Sequence, residues 1–352
     1  MRVEDLDTPA VVIDRRIVEA NLRRAQDHAD RQGKKLRPHI KTHKLPLFAK
    51  RQLELGAIGI TCQKIGEAEV MADAGIGDIF IPYNIIGTAK LERLKALHER
   101  ITLSVTADSA ETVDGYGASF TDDAHPLSVL IECDTGGGRC GVQSAVDAVA
   151  LAKRIASYPG LHFGGLMTYP PRQKVSEVDT WLRDALALFE AEGIVVERVS
   201  VGNSPDFYAP QGVDAATELR PGTYIYSDRM QVAFGHGTLE NCALTVLATV
   251  VSRPTTDRAI LDTGSKSLAA DLSPAPGHGH IVEYPDAVIT MLNEEHGIVD
   301  LSRSAKKPTI GDKVRVIPNH VCVVSNLFDV VHLVEDGEVV ELLPVAARGK
   351  LS

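Results

Sequence analysis

The stretch Leu36-Arg37-Pro38-His39-Ile40-Lys41-Thr42-His43-Lys44 follows a helix-patterned segment and a short turn at Gly33, and Leu45-Pro46 comes directly after it. Proline is favoured in the first turn of a helix, so the stretch reads as the end of a strand that runs into a helix. Side chains alternate along a strand. His39, Lys41 and His43 are therefore expected on one face, and Ile40 and Thr42 on the other. The same texture extends on both sides. The β-branched runs TPAVVID, KKLRPHIK, IGITCQ, DIFIPYN, ITLSVTAD, PLSVLIECD, LHFGGLMTYP and VERVSVGN alternate with helix-patterned segments such as Arg15–Arg31, Lys64–Ala74, Ala145–Ala156 and Val175–Ala191. Strand–helix alternation at this spacing indicates parallel strands with crossover helices. The number of units is close to eight, which favours a closed (β/α)8 TIM-like barrel over an open sheet.

After about residue 240 the texture changes. LTVLATVVSRP, DRAILDTG, GDKVRVIP, DVVHLVED and EVVELLPV are strands without long helices between them, and glycine and proline clusters such as SPAPGHGH punctuate them. The expected organisation is an α/β barrel over residues 8–235, then a mostly β domain over 240–352. Whether residues 1–7 add to the second domain is open.

Composition narrows the function. Of 352 residues, 44% are hydrophobic and 24% charged, which is ordinary for a chain with a large core. The net charge is −10 and there is no lysine- or arginine-rich run, so nucleic acid is not an expected partner. No apolar run approaches a membrane span. The start, MRVEDLDTPAVVID, has acidic residues where a signal peptide has a basic start and an apolar middle. A cytoplasmic protein with no membrane partner is expected. Five cysteines without a CxxC argue against a disulfide framework.

At the C-terminal end of a barrel strand, where barrel enzymes keep their chemistry, a lysine flanked by two histidines is notable. Desolvation and nearby positive charge lower a lysine's pKa, as a Schiff-base lysine requires. Spacing alone leaves two other readings open: a surface lysine beside a loop, or Lys266, after the strand RAILDTG, as the reactive amine.

RPHIKTHK resembles the motif of the D-threonine aldolase and D-serine dehydratase family, whose members have the alanine-racemase-like fold. The resemblance begins at LDTPAVVID, continues through GITCQKIGEAEVMADAG and DTGGGRCGV, and ends at PNHVCVVSNL. It implies pyridoxal 5′-phosphate bound to Lys41. It also implies phosphate contacts at Gly202-Asn203-Ser204 and Gly222-Thr223-Tyr224, each in a loop after a strand. Arg139, in the glycine-rich loop, is expected at the pyridine nitrogen. Tyr169 is expected near the ring, and Gln63 at the ring hydroxyl. A divalent metal is implied at His320 and Cys322. Aldolases of the family present His-x-Asp there and dehydratases His-x-Cys; a thiolate favours zinc, whereas an Asp/His pair suits manganese or magnesium. Glu295 and His296 form a further pair, with His296 a candidate for moving a proton.

The expected activity is a lyase on D-β-hydroxy-α-amino acids, cleaving them to glycine and an aldehyde. Dehydration of D-serine or D-3-hydroxyaspartate to a keto acid and ammonia is the alternative. An amino-acid racemase and a non-catalytic pyridoxal-phosphate carrier are further alternatives. Relatives of this fold imply a homodimer.

Overall fold

A computed structural model describes residues 1–202, 204–209 and 212–352. The chain divides into two compact units. One comprises residues 26–41, 46–222 and 350–352, the other residues 1–25, 42–45 and 223–349.

Strand β1 (Ala10–Asp14) belongs to the second unit. The first unit holds β2 (Lys35–Leu36), β3 (Ile60–Thr61), β4 (Asp78–Ile81), β5 (Thr102–Ala107), β6 (Leu127–Cys133), β7 (Leu161–Thr168), β8 (Val199–Gly202) and β9 (Glu218–Arg220). All their pairings are parallel, in the order β2-β9-β8-β7-β6-β5-β4-β3. Between the two ends of that order, Thr61 N–H donates to Pro38 O at 2.8 Å and His39 forms a parallel bridge to Thr61. The eight-stranded parallel barrel expected from the sequence is present, with one exchange. TPAVVID forms β1 and leaves the ring, and ATELRP supplies β9 in its place. All but the last residue of β1 are buried, so its apolar run suits a sheet covered on both faces.

The helices follow from local signals. Ala145–Ala156 starts at Ser144, whose hydroxyl accepts the Asp147 N–H at 3.1 Å, and it buries Ala148, Val149, Leu151, Ala152 and Ile155 along one stripe. Inside the ring, Phe80, Leu130 and Met167 pack together. Charged groups share that interior. Arg37 pairs with Glu218 at 2.8 Å and with Asp78, while Arg220 Nε donates to Ser200 Oγ at 2.8 Å. Asp78 and Glu218 open their strands, so this cluster lies at the N-terminal end of the ring, away from the loops that follow the strands.

The second unit is mostly antiparallel. Its strands are β1, β10 (Leu244–Thr255), β11 (Arg258–Leu261), β12 (Gly279–Ile281), β13 (Val288–Leu292), β14 (Gly297–Asp300), β15 (Lys313–Pro318), β16 (Val330–Glu335) and β17 (Glu338–Pro344). The main path is β13-β14-β11-β10-β1-β16-β17, with β15 bridging β10 and β12. β1 pairs antiparallel with β10 and parallel with β16. Leu6, Ala10, Val12, Leu247 and Val334 form a core under that seam. No described helix is long and apolar enough to cross a membrane.

Candidate active site

The lysine segment is not a strand to its end. β2 stops at Leu36, although Arg37 and His39 still donate backbone N–H groups to Leu219 O and Pro221 O, both at 2.9 Å. Ile40–Thr42 then winds into a 3-10 turn. The expected alternation of His39, Lys41 and His43 on one face therefore fails. Two local bonds replace it: His39 Nδ1 accepts the Lys41 N–H at 3.3 Å, and His43 Nδ1 accepts the Leu45 N–H at 3.0 Å. Accepting at Nδ1 leaves the proton of a neutral ring on Nε2, so His39 Nε2 donates to Gln63 Oε1 at 3.0 Å. His39 thus serves as an uncharged brace, not as the neighbouring cation the spacing invited. From Leu36 to Leu45 every residue is buried except Lys41, which is half-buried. The turn singles out one amine for access.

The rival lysine is accounted for differently. Lys266 is exposed and lies 2.8 Å from both Glu294 and Glu295. Its hydrogen bonds to these two carboxylates hold its pKa well above the ordinary lysine value, the opposite of what a nucleophilic amine needs. Glu295 is thereby assigned to an ion pair. His296 is exposed in the turn between β13 and β14. Among the described residues no contact ties it to His320 or Cys322.

The loops after β6, β7, β8 and β9 carry the other barrel residues. In DTGGGRCGV, the Asp134 carboxylate accepts the N–H groups of Gly136 and Gly138 at 3.0 Å. Gly141 has φ +123°, and a Cβ there would lie 2.3 Å from Asp134 N, so only glycine fits. The loop delivers Arg139 to 4.5 Å above the Tyr169 ring and 3.4 Å from Glu132. Burial pushes the Glu132 carboxyl up, against the pull of Arg139 and Arg220. Ser204 Oγ accepts the Gly222 N–H at 2.9 Å, which joins the two glycine loops expected at the phosphate. Asn203 lies outside the described residues. Thr223 and Tyr224 are buried in a 3-10 turn assigned to the second unit.

Arg220 was missing from the sequence-derived set. It is buried, and its Nη2 donates to Thr168 O at 3.0 Å. Burial lowers its pKa to about 10, with Glu218 and Glu132 opposing. A Cβ on Gly202 would meet Arg220 Nη2 at 3.2 Å and the Tyr169 ring at 3.3 Å. Two chemically distinct side chains thus press on the space that this glycine leaves open. The signal was present in the sequence: Glu218 and Arg220 are charged residues two apart on a strand, just before Pro221-Gly222.

In the second unit, β15 ends at Pro318 and His320 caps the helix Val321–Leu327. An extended chain was the expected reason for His320 and Cys322 to share a side. The chain instead turns helical at Val321, and the pair meets as N-cap and first-turn residue, with a hydrogen bond between ring and sulfur. Asn319 fixes the turn: its amide donates to Asp271 O and Gly277 O, both at 2.9 Å. His320 Nδ1 lies 3.0 Å from Asp228 Oδ2. Thr42 Oγ1 lies 3.1 Å from Cys322 Sγ, and Thr223 Oγ1 lies 3.7 Å from it. Burial pushes the His320 pKa down, but Cys322 and Asp228 outweigh it and raise the value to about 11. Among the described residues no three histidine, cysteine or acidic side chains form a metal-holding set. An imidazole and a thiol in contact suit a cation that keeps its other positions for water and substrate.

The parallel barrel, its glycine loops and a half-buried lysine in an otherwise buried run define an alanine-racemase-like barrel enzyme, and comparison with known proteins agrees. The family model "Alanine racemase, N-terminal domain" matches residues 13–230, and "Putative serine dehydratase domain" matches 243–334. D-threonine aldolase of an Arthrobacter species is 38% identical over 98% of this chain and 93% of its own. The crystal structure of D-threonine aldolase from Filomicrobium marinum superposes with a TM-score of 0.93 at 30% identity, covering 100% of this chain and 98% of that one. D-threo-3-hydroxyaspartate dehydratase from Delftia sp. HT23 superposes with a TM-score of 0.88 at 29% identity, covering 97% and 98%. The chain belongs to the D-threonine aldolase and D-serine dehydratase family and is a lyase. Membership implies pyridoxal phosphate and a small-molecule substrate.

Proposed function

We propose that this protein is a pyridoxal-phosphate- and divalent-metal-dependent lyase that cleaves D-β-hydroxy-α-amino acids to glycine and an aldehyde. The observation that carries the reading is Lys41, the one accessible side chain in the buried run Leu36–Leu45. It would hold the cofactor covalently. Gly202, Ser204 and Gly222 would supply small residues and donors for the phosphate; Asn203, Thr223 and Tyr224 belong to the same expectation. Arg139, Arg220, Tyr169 and Gln63 would surround the ring. An arginine only donates hydrogen bonds, so a guanidinium facing the ring nitrogen would donate to it and favour its unprotonated form. When bound, the cofactor supplies an electron sink at Cα.

His320 and Cys322 would hold the metal, with zinc favoured by the thiolate and manganese or magnesium as the harder alternatives. Bound there, the metal supplies a Lewis acid for a hydroxyl group. His296 has no step in this reading. The homodimer implied by the resemblance belongs to the same proposal.

Dehydration to a keto acid and ammonia is the second reading, and Cys322 favours it. Structures of the hydroxyaspartate dehydratase exist with a histidine replaced and with a cysteine replaced two positions further on, the latter in a metal-free form. That spacing is the spacing of His320 and Cys322. Incubation with D-threonine and D-serine, after chelation and again after adding Zn2+ or Mn2+, separates the readings. Glycine and aldehyde are expected. Keto acid without glycine supports dehydration, and no product from either substrate overturns the lyase reading.

A further inference from the structure

We infer that Asp228 and Thr42 are positioning residues for the metal: Asp228 fixes the tautomer of His320, and Thr42 steadies the Cys322 sulfur. The inference rests on the reading of His320 and Cys322 as metal ligands.

Asp228 is fully buried. A buried carboxylate without donors is costly, and this one faces three. Oδ1 accepts the Gln231 N–H at 2.8 Å; Oδ2 takes the Val321 N–H at 3.2 Å and faces His320 Nδ1 at 3.0 Å. The two backbone donors belong to the helices Arg229–Ala233 and Val321–Leu327. Any small N-cap residue could serve a single helix start. Only a carboxylate accepts all three donors at once. With the ring proton held on Nδ1, Nε2 presents its lone pair to a cation, the arrangement that outer carboxylates impose on metal-bound histidines.

Cys322 has a comparable partner. Thr42 is fully buried, with Oγ1 3.1 Å from the sulfur. Its hydroxyl has no solvent to turn to. A proton directed at the sulfur stabilises the thiolate and draws electron density from it, and this in turn sets how much the metal receives. Thr42 follows Lys41 in the chain, so the turn that exposes the amine also ends at the residue that steadies the sulfur.

The test uses the full-length protein with its cofactor bound. Metal is stripped with a chelator, and Zn2+ affinity is read by competition with a chromophoric chelator. Co2+ is then loaded and its sulfur-to-cobalt absorption recorded. Asp228→Asn keeps an acceptor for Gln231 N–H, and asparagine caps helices as well as aspartate. It presents an amide where His320 Nδ1–H needs an acceptor. Zn2+ binding is expected to weaken about 10–100-fold, with the cofactor's visible absorption retained. Thr42→Val should shift the sulfur-to-cobalt band to longer wavelength, because a thiolate without its hydrogen bond gives up electrons more readily. Melting curves check folding, and if one variant fails to fold the other carries the test. Wild type that binds Zn2+ alongside an Asp228→Asn variant of equal affinity, or a Thr42→Val band that does not move, overturns the inference alone. Wild type that takes up neither ion overturns the metal reading and the inference together.

Discussion

Lys41 and Lys266 have similar sequence contexts, each in a loop after a strand, and opposite surroundings. Lys41 is half-buried in the middle of a 3-10 turn, whereas Lys266 is exposed between two glutamates. Lys41→Ala should abolish the visible absorption of the lysine-bound cofactor, and Lys266→Ala should leave it in place. A spectrum that survives the first change and not the second would reverse the assignment. Lys41 could be named from RPHIKTHK, but the roles of its two histidines could not. They brace backbone N–H groups two residues on, because the turn at Ile40 ends strand alternation. Arg220 was passed over for a related reason. A charged residue on a short strand is ordinarily exposed, and only the ring buries this one beside Ser200 and Thr168.

At the scale of elements, the strands β6, β7, β8 and β9 each lead into a loop that carries a candidate site residue. Gly202 is the tightest case. Gly202→Ala would place a methyl 3.2 Å from Arg220 Nη2 and 3.3 Å from the Tyr169 ring. Cofactor should be lost more readily on dialysis while the melting temperature stays near wild type; unchanged retention would remove Gly202 from the cradle. The pair His320 and Cys322 shows the limit of pattern reading at this scale. H-x-C was read as an extended pair, and the chain instead turns helical after His320. Imidazole and sulfur still meet, because an N-cap side chain and a first-turn side chain can converge at a helix start. The helices were more legible. Ala145–Ala156 and Val175–Ala191 fall where the apolar spacing placed them, since each needs only its own stripe to be buried.

For the whole molecule, the N-terminal end of the ring is held by charge. Glu218 is buried with Arg37 at 2.8 Å and Arg198 at 3.6 Å. Arg37→Met leaves that carboxylate short of a partner, and unfolding in denaturant should show a loss of about 3–5 kcal/mol. A loss under about 1 kcal/mol would mean that Arg198 alone suffices. A second global effect is pH-dependent. His98 is buried, its ring stacks on His125 at 4.1 Å, and its Nε2 lies 3.1 Å from His125 O. Burial holds its pKa below the ordinary 6.5; the backbone bond to His125 and the charges of Glu99 and Asp122 oppose this, while the His125 charge adds to it. The folded state therefore takes up this proton less readily than the unfolded chain. Stability present above about pH 6.5 should decline as pH falls below it. Melting temperatures across that range should fall less steeply for His98→Gln, which keeps a donor and does not titrate; parallel curves would refute the assignment.

Local sequence was enough for the class of fold, for picking out Lys41 as the candidate lysine, and for pairing a histidine with a cysteine. These depend on local pattern: apolar periodicity, glycine where side chains cannot fit, and reactive residues at short spacing. Tertiary structure alone decided that β1 leaves the ring and β9 closes it, since strand partners are chosen by non-local pairing. It also decided which lysine stands half-buried in the turn and which is exposed in an ion pair. Lys41 is half-exposed because a 3-10 turn lifts one side chain out of a ten-residue run whose other nine are buried, and no local periodicity encodes that exposure.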